Sequence, residues 1–140
     1  MTLWFDDLHE GQVFETGART VAESDIRAFA EVTGDRNRIH LDGLAHGLLV
    51  AGMSSGLLHE LGHFGESTLA LLELKEWRFL RPVRAGDAVR ARVTIESLRP
   101  ASAGGKGIVV RRVEIINQRD EPVQDGRATL LLAARPAGAR

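Results

Sequence analysis

The sequence predicts an α+β domain in which long antiparallel strands wrap one buried helix, and three observations predict it. Residues 47–62 read Gly-Leu-Leu-Val-Ala-Gly-Met-Ser-Ser-Gly-Leu-Leu-His-Glu-Leu-Gly, apolar or small all round, and a helix without a polar face is normally buried on every side. Val89, Ala91, Val93 and Ile95 alternate with Arg90, Arg92, Thr94 and Glu96, the period-two pattern of a half-buried strand. Two further long strands, Ile108 to Asn117 and Val123 to Ala134, follow across the Gly/Ser-rich stretch Pro100 to Gly107 and the turn Gln118 to Pro122. With 140 residues, the chain has room for one domain with a real core, 1–140, and not comfortably for two.

The N-terminal part leads into the helix. Trp4, Phe5 and Leu8 precede Gly11, the two aromatics reading as core anchors, and Val13-Phe14-Glu15-Thr16 opens a first strand expected to end near Val21. Glu23 to Thr33 places Ile26, Phe29, Ala30 and Thr33 at helical spacing and stops at Gly34, a C′ residue. The start of that helix is weakly signalled, because Ala22 cannot cap and Ser24 sits late for the role. The helix from Gly47 would run about 24 Å, enough to cross a small domain. Its Gly52, Ser54, Ser55 and Gly56 lower intrinsic helicity but let a sheet come close. Leu69 to Leu80 fits helix or strand; Trp77 and Phe79 alternate with charge, which favours strand, and Pro82 ends it. Arg84-Ala85-Gly86-Asp87 is a turn, and the Ala/Gly/Arg tail after Pro136 is expected to fray.

Composition excludes several classes of function. Eighteen basic residues stand against nineteen acidic ones, so no overall charge favours nucleic acid or an anionic membrane. The chain has no cysteine, which removes disulfides, thiol nucleophiles and thiolate metal sites. Acidic residues at Asp6 and Asp7 come too early for a signal peptide, and no uninterrupted apolar run reaches membrane-spanning length. The expectation is a cytoplasmic protein.

The chemistry concentrates in Gly34-Asp35-Arg36-Asn37-Arg38-Ile39-His40. A carboxylate and an imidazole on one turn-rich loop can hold a water between them, one taking its proton while the other donates to substrate. The plainer possibility is an Asx-turn at Asp35 and a packed His40. Gly47 opens the buried helix, whose first N–H groups have no internal partner and would stabilise an oxygen gaining negative charge; without a Cβ, a thioester carbonyl can approach. A competing pattern is His59-Glu60-Leu61-Gly62-His63, the H-E-x-x-H of zinc peptidases. Gly62 falls inside it where the helix is expected to end, and no third histidine lies downstream of His63. Gly104-Gly105-Lys106-Gly107 lacks the Ser/Thr of a phosphate loop and reads as a hairpin tip. The arginines at 78, 81, 84, 90, 92, 111 and 112 mostly occupy alternating strand positions as a solvated face, some of them able to meet phosphates of a nucleotide-bearing ligand.

Phe29-Ala30-Glu31-Val32-Thr33-Gly34-Asp35-Arg36-Asn37-Arg38-Ile39-His40-Leu41-Asp42, with Ala45-His46-Gly47-Leu48-Leu49 and Arg81-Pro82-Val83-Arg84-Ala85-Gly86-Asp87, resembles the hydratase signature of the MaoC-like dehydratases, which include the R-specific enoyl-CoA hydratases. The resemblance implies a hot-dog fold and a homodimer with the site near its interface. It implies that Asp35 and His40 activate water for syn addition to a trans-2-enoyl-CoA, or catalyse the reverse dehydration. Gly47 would supply the oxyanion N–H, Asn37 would shape the loop, and Ser55 and His46 would lie against the substrate, Ser55 in the acyl pocket wall. No metal or redox cofactor is implied; coenzyme A arrives with the substrate. Two departures stand out. Arg38 replaces the family's proline, and only Gly43 and Leu44 join Asp42 to Ala45, where the family carries ten or so more residues that help roof the pocket. Either the pocket is more open and takes a different substrate, or the activity is reduced, or a mobile segment is absent from the sequence, and the same fold also accommodates a non-catalytic acyl-CoA-binding protein or a thioesterase.

Overall fold

The structure is a computed structural model and describes residues 1–138. After a single 3-10 turn at Phe5–Asp7 the elements run β1 (Val13–Glu15), β2 (Arg19–Thr20), α1 (Glu23–Thr33), α2 (Arg38–Leu41), α3 (Gly47–Glu60), β3 (Thr68–Phe79), β4 (Ala88–Pro100), β5 (Lys106–Asn117) and β6 (Pro122–Ala133). The strands form one six-stranded sheet in the order β1-β4-β5-β6-β3, with β2 also on β4. All pairings between named strands are antiparallel. Val89, Ala91, Val93 and Ile95 of β4 are buried as their alternation predicts, in the same core as Val50, Met53 and Leu58 of α3.

Three local outcomes differ from expectation. The first strand is broken at Thr16, whose backbone N–H donates to the Ala91 carbonyl at 3.0 Å while its Oγ1 accepts the Ala91 N–H at 2.9 Å. A side-chain oxygen has taken a ladder position, so the chain leaves and re-enters the sheet. The α1 start is held by Asp25, whose carboxylate accepts the Ala22 N–H at 2.9 Å, half of a capping box that needs no side chain at Ala22. Helix α3 is not enclosed all round: Val50, Met53, Ser54, Leu57 and Leu58 are buried, whereas Leu48, Gly52, Ser55, Gly56 and His59 are exposed. A helix that is apolar all round but covered on one side presents its other face to something else.

The same holds for β3. It pairs only with β6, and Leu69, Leu71, Leu72, Leu74 and Phe79 are all exposed in the isolated chain. A long apolar strand with one unpaired edge is a surface that seeks a partner.

The shortened connection is ordered by hydrogen bonds. Leu44 bridges Arg84, the Ala45 N–H donates to Val83 at 2.8 Å and the Ala85 N–H donates to Gly43 at 2.9 Å. The segment it leans on is itself fixed by Asp87, which accepts the Arg84 N–H at 2.9 Å and the Gln118 amide at 2.8 Å. Burial alone would raise the Asp87 carboxyl, yet these donors and the nearby Arg119 and Arg84 cations hold it below its ordinary value of 3.8. A depressed folded-state value contributes stability that is present above the unfolded value and disappears as pH falls through the folded one. Asp87→Asn is therefore expected to lower stability by about 1–2 kcal/mol near neutrality, with the gap to the parent closing below about pH 4. Denaturant melts across pH check this; a gap that does not narrow in acid would show that the carboxylate charge is not what matters.

Candidate active site

Helix α1 ends with Gly34 in the left-handed conformation, φ 79°, which turns the chain sharply into Asp35. Asp35 Oδ1 accepts the Asn37 N–H at 3.2 Å, and Asn37 Oδ1 accepts the Ile39 N–H at 3.3 Å, capping α2. The stretch expected as loop is thus an Asx-turn followed by a four-residue helix that carries His40. The Asx-turn does not exclude chemistry, because it occupies one carboxylate oxygen only. The other, Oδ2, lies 3.7 Å from His40 Nε2, a separation at which one water can contact both at about 2.8 Å.

His40 is fixed from behind. Its Nδ1–H donates to the Leu44 carbonyl at 2.9 Å, which leaves Nε2 as the working nitrogen in either charge state. Leu44 belongs to the short connection, so that connection orients the imidazole. His46 lies face to face with His40, ring centroids 3.7 Å apart at 21°, and Phe29 closes on its other side at 4.8 Å. His46 Nε2–H donates to the Asp35 carbonyl at 2.9 Å. At 3 % exposure, His46 is a strut joining Asp35 to His40 and does not line the neighbouring cleft, which differs from the expectation that it contacts substrate. Asp35, His40 and His46 each offer a donor within 4.8 Å of the others, but His46 has one nitrogen committed and the other, Nδ1, enclosed without a partner.

Gly47 begins α3, and among the described residues no acceptor takes its N–H. Its carbonyl accepts the Gln124 amide at 2.9 Å, and Gln124 in turn accepts the Trp77 indole N–H at 2.9 Å. A Cβ at Gly47 would stand 2.6 Å from the Phe79 ring, so the absence of a side chain is what allows this approach. His40 and Gly47 share one cleft of about 330 Å³, walled by Ala45, Val50, Phe79 and Gln124 among others. Asp35 stands at its His40 edge, more than half exposed.

Ser55 is not brought to this cleft. It lies eight residues further along α3, about 12 Å by helical rise, in a second cleft of about 250 Å³. The H-E-x-x-H stretch is not one helical face either: α3 ends at Glu60, Gly62 is left-handed at φ 79°, and His63 Nδ1 bonds the Met1 carbonyl at 3.0 Å. The zinc-peptidase pattern lacks the helix it needs. Sequence reasoning missed Gln124, Trp77 and Phe79. One signal was available: Gln124 and Gly126 occupy the inward register of β6 with Ala128, Leu130 and Leu132, and a polar residue in such a register has a partner to serve.

A sheet packed on one helix, with an acid and a base beside the open start of that helix, defines the class: hot-dog proteins of the hydratase/dehydratase type. The chain belongs to the MaoC like domain family, which it matches over residues 7–117. It is 32% identical to the (R)-specific enoyl-CoA hydratase of Rhodospirillum rubrum, over 94% of this chain and 93% of that protein. It is 36% identical to the 3-hydroxybutyryl-CoA dehydratase of Methylorubrum extorquens, over 70% and 67%. Among solved structures it superposes with a TM-score of 0.85 and 26% identity on a Mycobacterium tuberculosis protein with a double hot-dog fold, covering 99% of this chain and 46% of that one. Among the described residues no helix is long and apolar enough to cross a membrane.

Proposed function

We propose that this protein is a cytoplasmic, single-domain (R)-specific enoyl-CoA hydratase, working equally as a 3-hydroxyacyl-thioester dehydratase. The observation that carries this reading is the 3.7 Å approach of His40 Nε2 to Asp35 Oδ2 beside a cleft that also holds the start of α3 at Gly47. The thioester carbonyl accepts the Gly47 N–H, so the enolate-like charge that develops on addition is met by a fixed donor at the positive end of a helix. A water held by the pair attacks C3 as Asp35 takes its proton, and His40, carrying a proton on each ring nitrogen, delivers the one on Nε2 to C2 on the same face, giving syn addition; the proton on Asp35 then passes to Nε2 and resets the pair. Protons move and electrons do not change hands, so the reaction asks for no redox cofactor, and coenzyme A enters as part of the substrate. Asn37 acts by shaping the turn and His46 by positioning the pair.

Purified protein is expected to bleach the conjugated absorbance of crotonyl-CoA or a longer trans-2-enoyl-CoA. Release of free thiol instead would make it a thioesterase, and ligand-dependent thermal stabilisation without turnover would make it a non-catalytic binder.

The same reading makes the protein a homodimer. Both clefts lie between α3 and β3, with Gly47 near Phe79 at one end and Ser55 near Leu71 at the other. The uncovered face of α3 and the unpaired edge of β3 therefore meet at both clefts, and one partner can cover both. Leu72, half exposed in the isolated chain, is a natural probe: Leu72→Lys is expected to shift the sedimenting species toward monomer, and an unchanged dimer would place the interface elsewhere.

A further inference from the structure

Strand β5 alternates, with Val109, Val113 and Ile115 buried in the core, and Arg111 occupies the same register. Its cross-strand neighbours are Ile95 on β4 and Ala128 on β6, both buried and apolar. Arg112, one step on, is exposed and pairs with Asp125 at 3.3 Å. The expectation of a solvated arginine face therefore holds for Arg112 and fails for Arg111. Among the described residues Arg111 makes no ion pair and no hydrogen bond, and its Nε is fully enclosed. Burial pushes the guanidinium down to about 10, so it remains a cation at neutral pH. The side chain as a whole is half-buried, with Nε enclosed while the residue lines a cleft, and an enclosed donor without an acceptor is costly to keep; among the described residues none answers it.

Arg111 lines the second cleft, of about 250 Å³, together with Ser55, Leu58, His59, Thr68 and Leu130. No carboxylate lines the cleft. Two hydroxyls and an imidazole stand as further donors, and leucines supply an apolar wall. One cation suits one negative charge; a phosphate dianion would ask for more.

We propose that the Arg111 cleft is a binding pocket for an organic carboxylate on a short apolar body. Two sources share that chemistry: the far end of an acyl substrate that carries a second carboxylate, and a free short-chain acid bound as an effector.

Butyrate titrated into the wild-type protein is expected to saturate, and uncharged 1-butanol to bind at least about tenfold more weakly. Arg111→Met should abolish butyrate binding while raising the thermal midpoint, because a flexible apolar side chain replaces an unpaired charge. Arg111→Lys, which keeps the charge, should retain weakened binding. Absence of saturation in the wild type overturns the proposal, as does butyrate binding by Arg111→Met equal to the parent's. A lowered midpoint or a dissociated dimer in Arg111→Met gives the residue a structural or subunit-contact role and overturns it too.

The two sources separate kinetically, in an arm that rests on the hydratase reading. If the carboxylate belongs to the substrate, enoyl-CoAs with a terminal carboxylate should exceed plain ones of equal length about tenfold in kcat/KM, a preference that Arg111→Met erases. If it is a free acid, no such preference exists and butyrate binding stands alone. Asp35→Asn protein should bind butyrate undiminished, so failure of the hydratase reading leaves the pocket result standing.

Discussion

Asp35→Asn is expected to reduce hydration of a trans-2-enoyl-CoA by about 10²–10⁴-fold in kcat, with the thermal midpoint nearly unchanged. The substitution separates the two uses of this side chain. Asparagine keeps an Oδ1 that can accept the Asn37 N–H, so the Asx-turn and the approach to α2 persist. What it loses is a carboxylate oxygen 3.7 Å from His40 Nε2, the atom to which the mechanism assigns water's proton. Asp35 is exposed, so little packing depends on its charge. Substrate affinity should also persist, because the proposed mechanism holds the thioester at Gly47 and along the apolar cleft wall. Turnover that survives Asp35→Asn would remove the residue from the mechanism and with it the acid/base assignment.

Gln124→Leu is expected to cost about 2–4 kcal/mol of stability and about ten- to hundredfold in kcat. Leucine is close in volume, so no large cavity opens. Two polar groups instead lose their partner at once: the Gly47 carbonyl and the Trp77 indole N–H, each 2.9 Å from the Gln124 amide. Gln124 itself is 2 % exposed, so water does not readily replace it. The Gly47 carbonyl is part of the first turn of α3, and releasing it loosens the helix start at which the proposed mechanism places the oxyanion donor. Denaturant unfolding and steady-state kinetics on one preparation test both halves. A stability loss with full kcat would show that the anchor serves folding and not the oxyanion site.

Much of the site was legible because it is local. Asp35, Asn37 and His40 lie within one turn of chain, and Gly34 announces the end of α1 by a backbone conformation that glycine adopts at little cost. Their pairing follows from short-range geometry, and the spacing of residue types is enough to suggest it. The strands were legible for a similar reason, since alternation in β4 reports the face on which each residue is buried. What was not legible depends on residues distant in sequence. Thr16 reads as ordinary strand until Ala91 is beside it. His46 reads as a ligand contact until its ring is seen stacked on His40 and bonded to the Asp35 carbonyl. Ser55 reads as a wall of the catalytic cleft, yet lies two helical turns away in another.

The sequence by itself determined the class of fold, the turn that carries Asp35 and His40 and the glycine at the helix start, because hydrophobic period, turn chemistry and spacing are properties of neighbouring residues. Only the tertiary structure decided which polar side chains are enclosed and what faces them. Helix α3 is apolar all round, but which of its sides the sheet covers depends on how far the strands extend, and Leu48, Ser55 and His59 are left on the uncovered side. Arg111 and Arg112 are the same residue side by side. Register alone sends one into solvent to meet Asp125 and leaves the other half-buried in a cleft, without a partner among the described residues. A one-residue step reverses the face in a strand, and here that step separates a surface ion pair from an unpaired cation in a cleft.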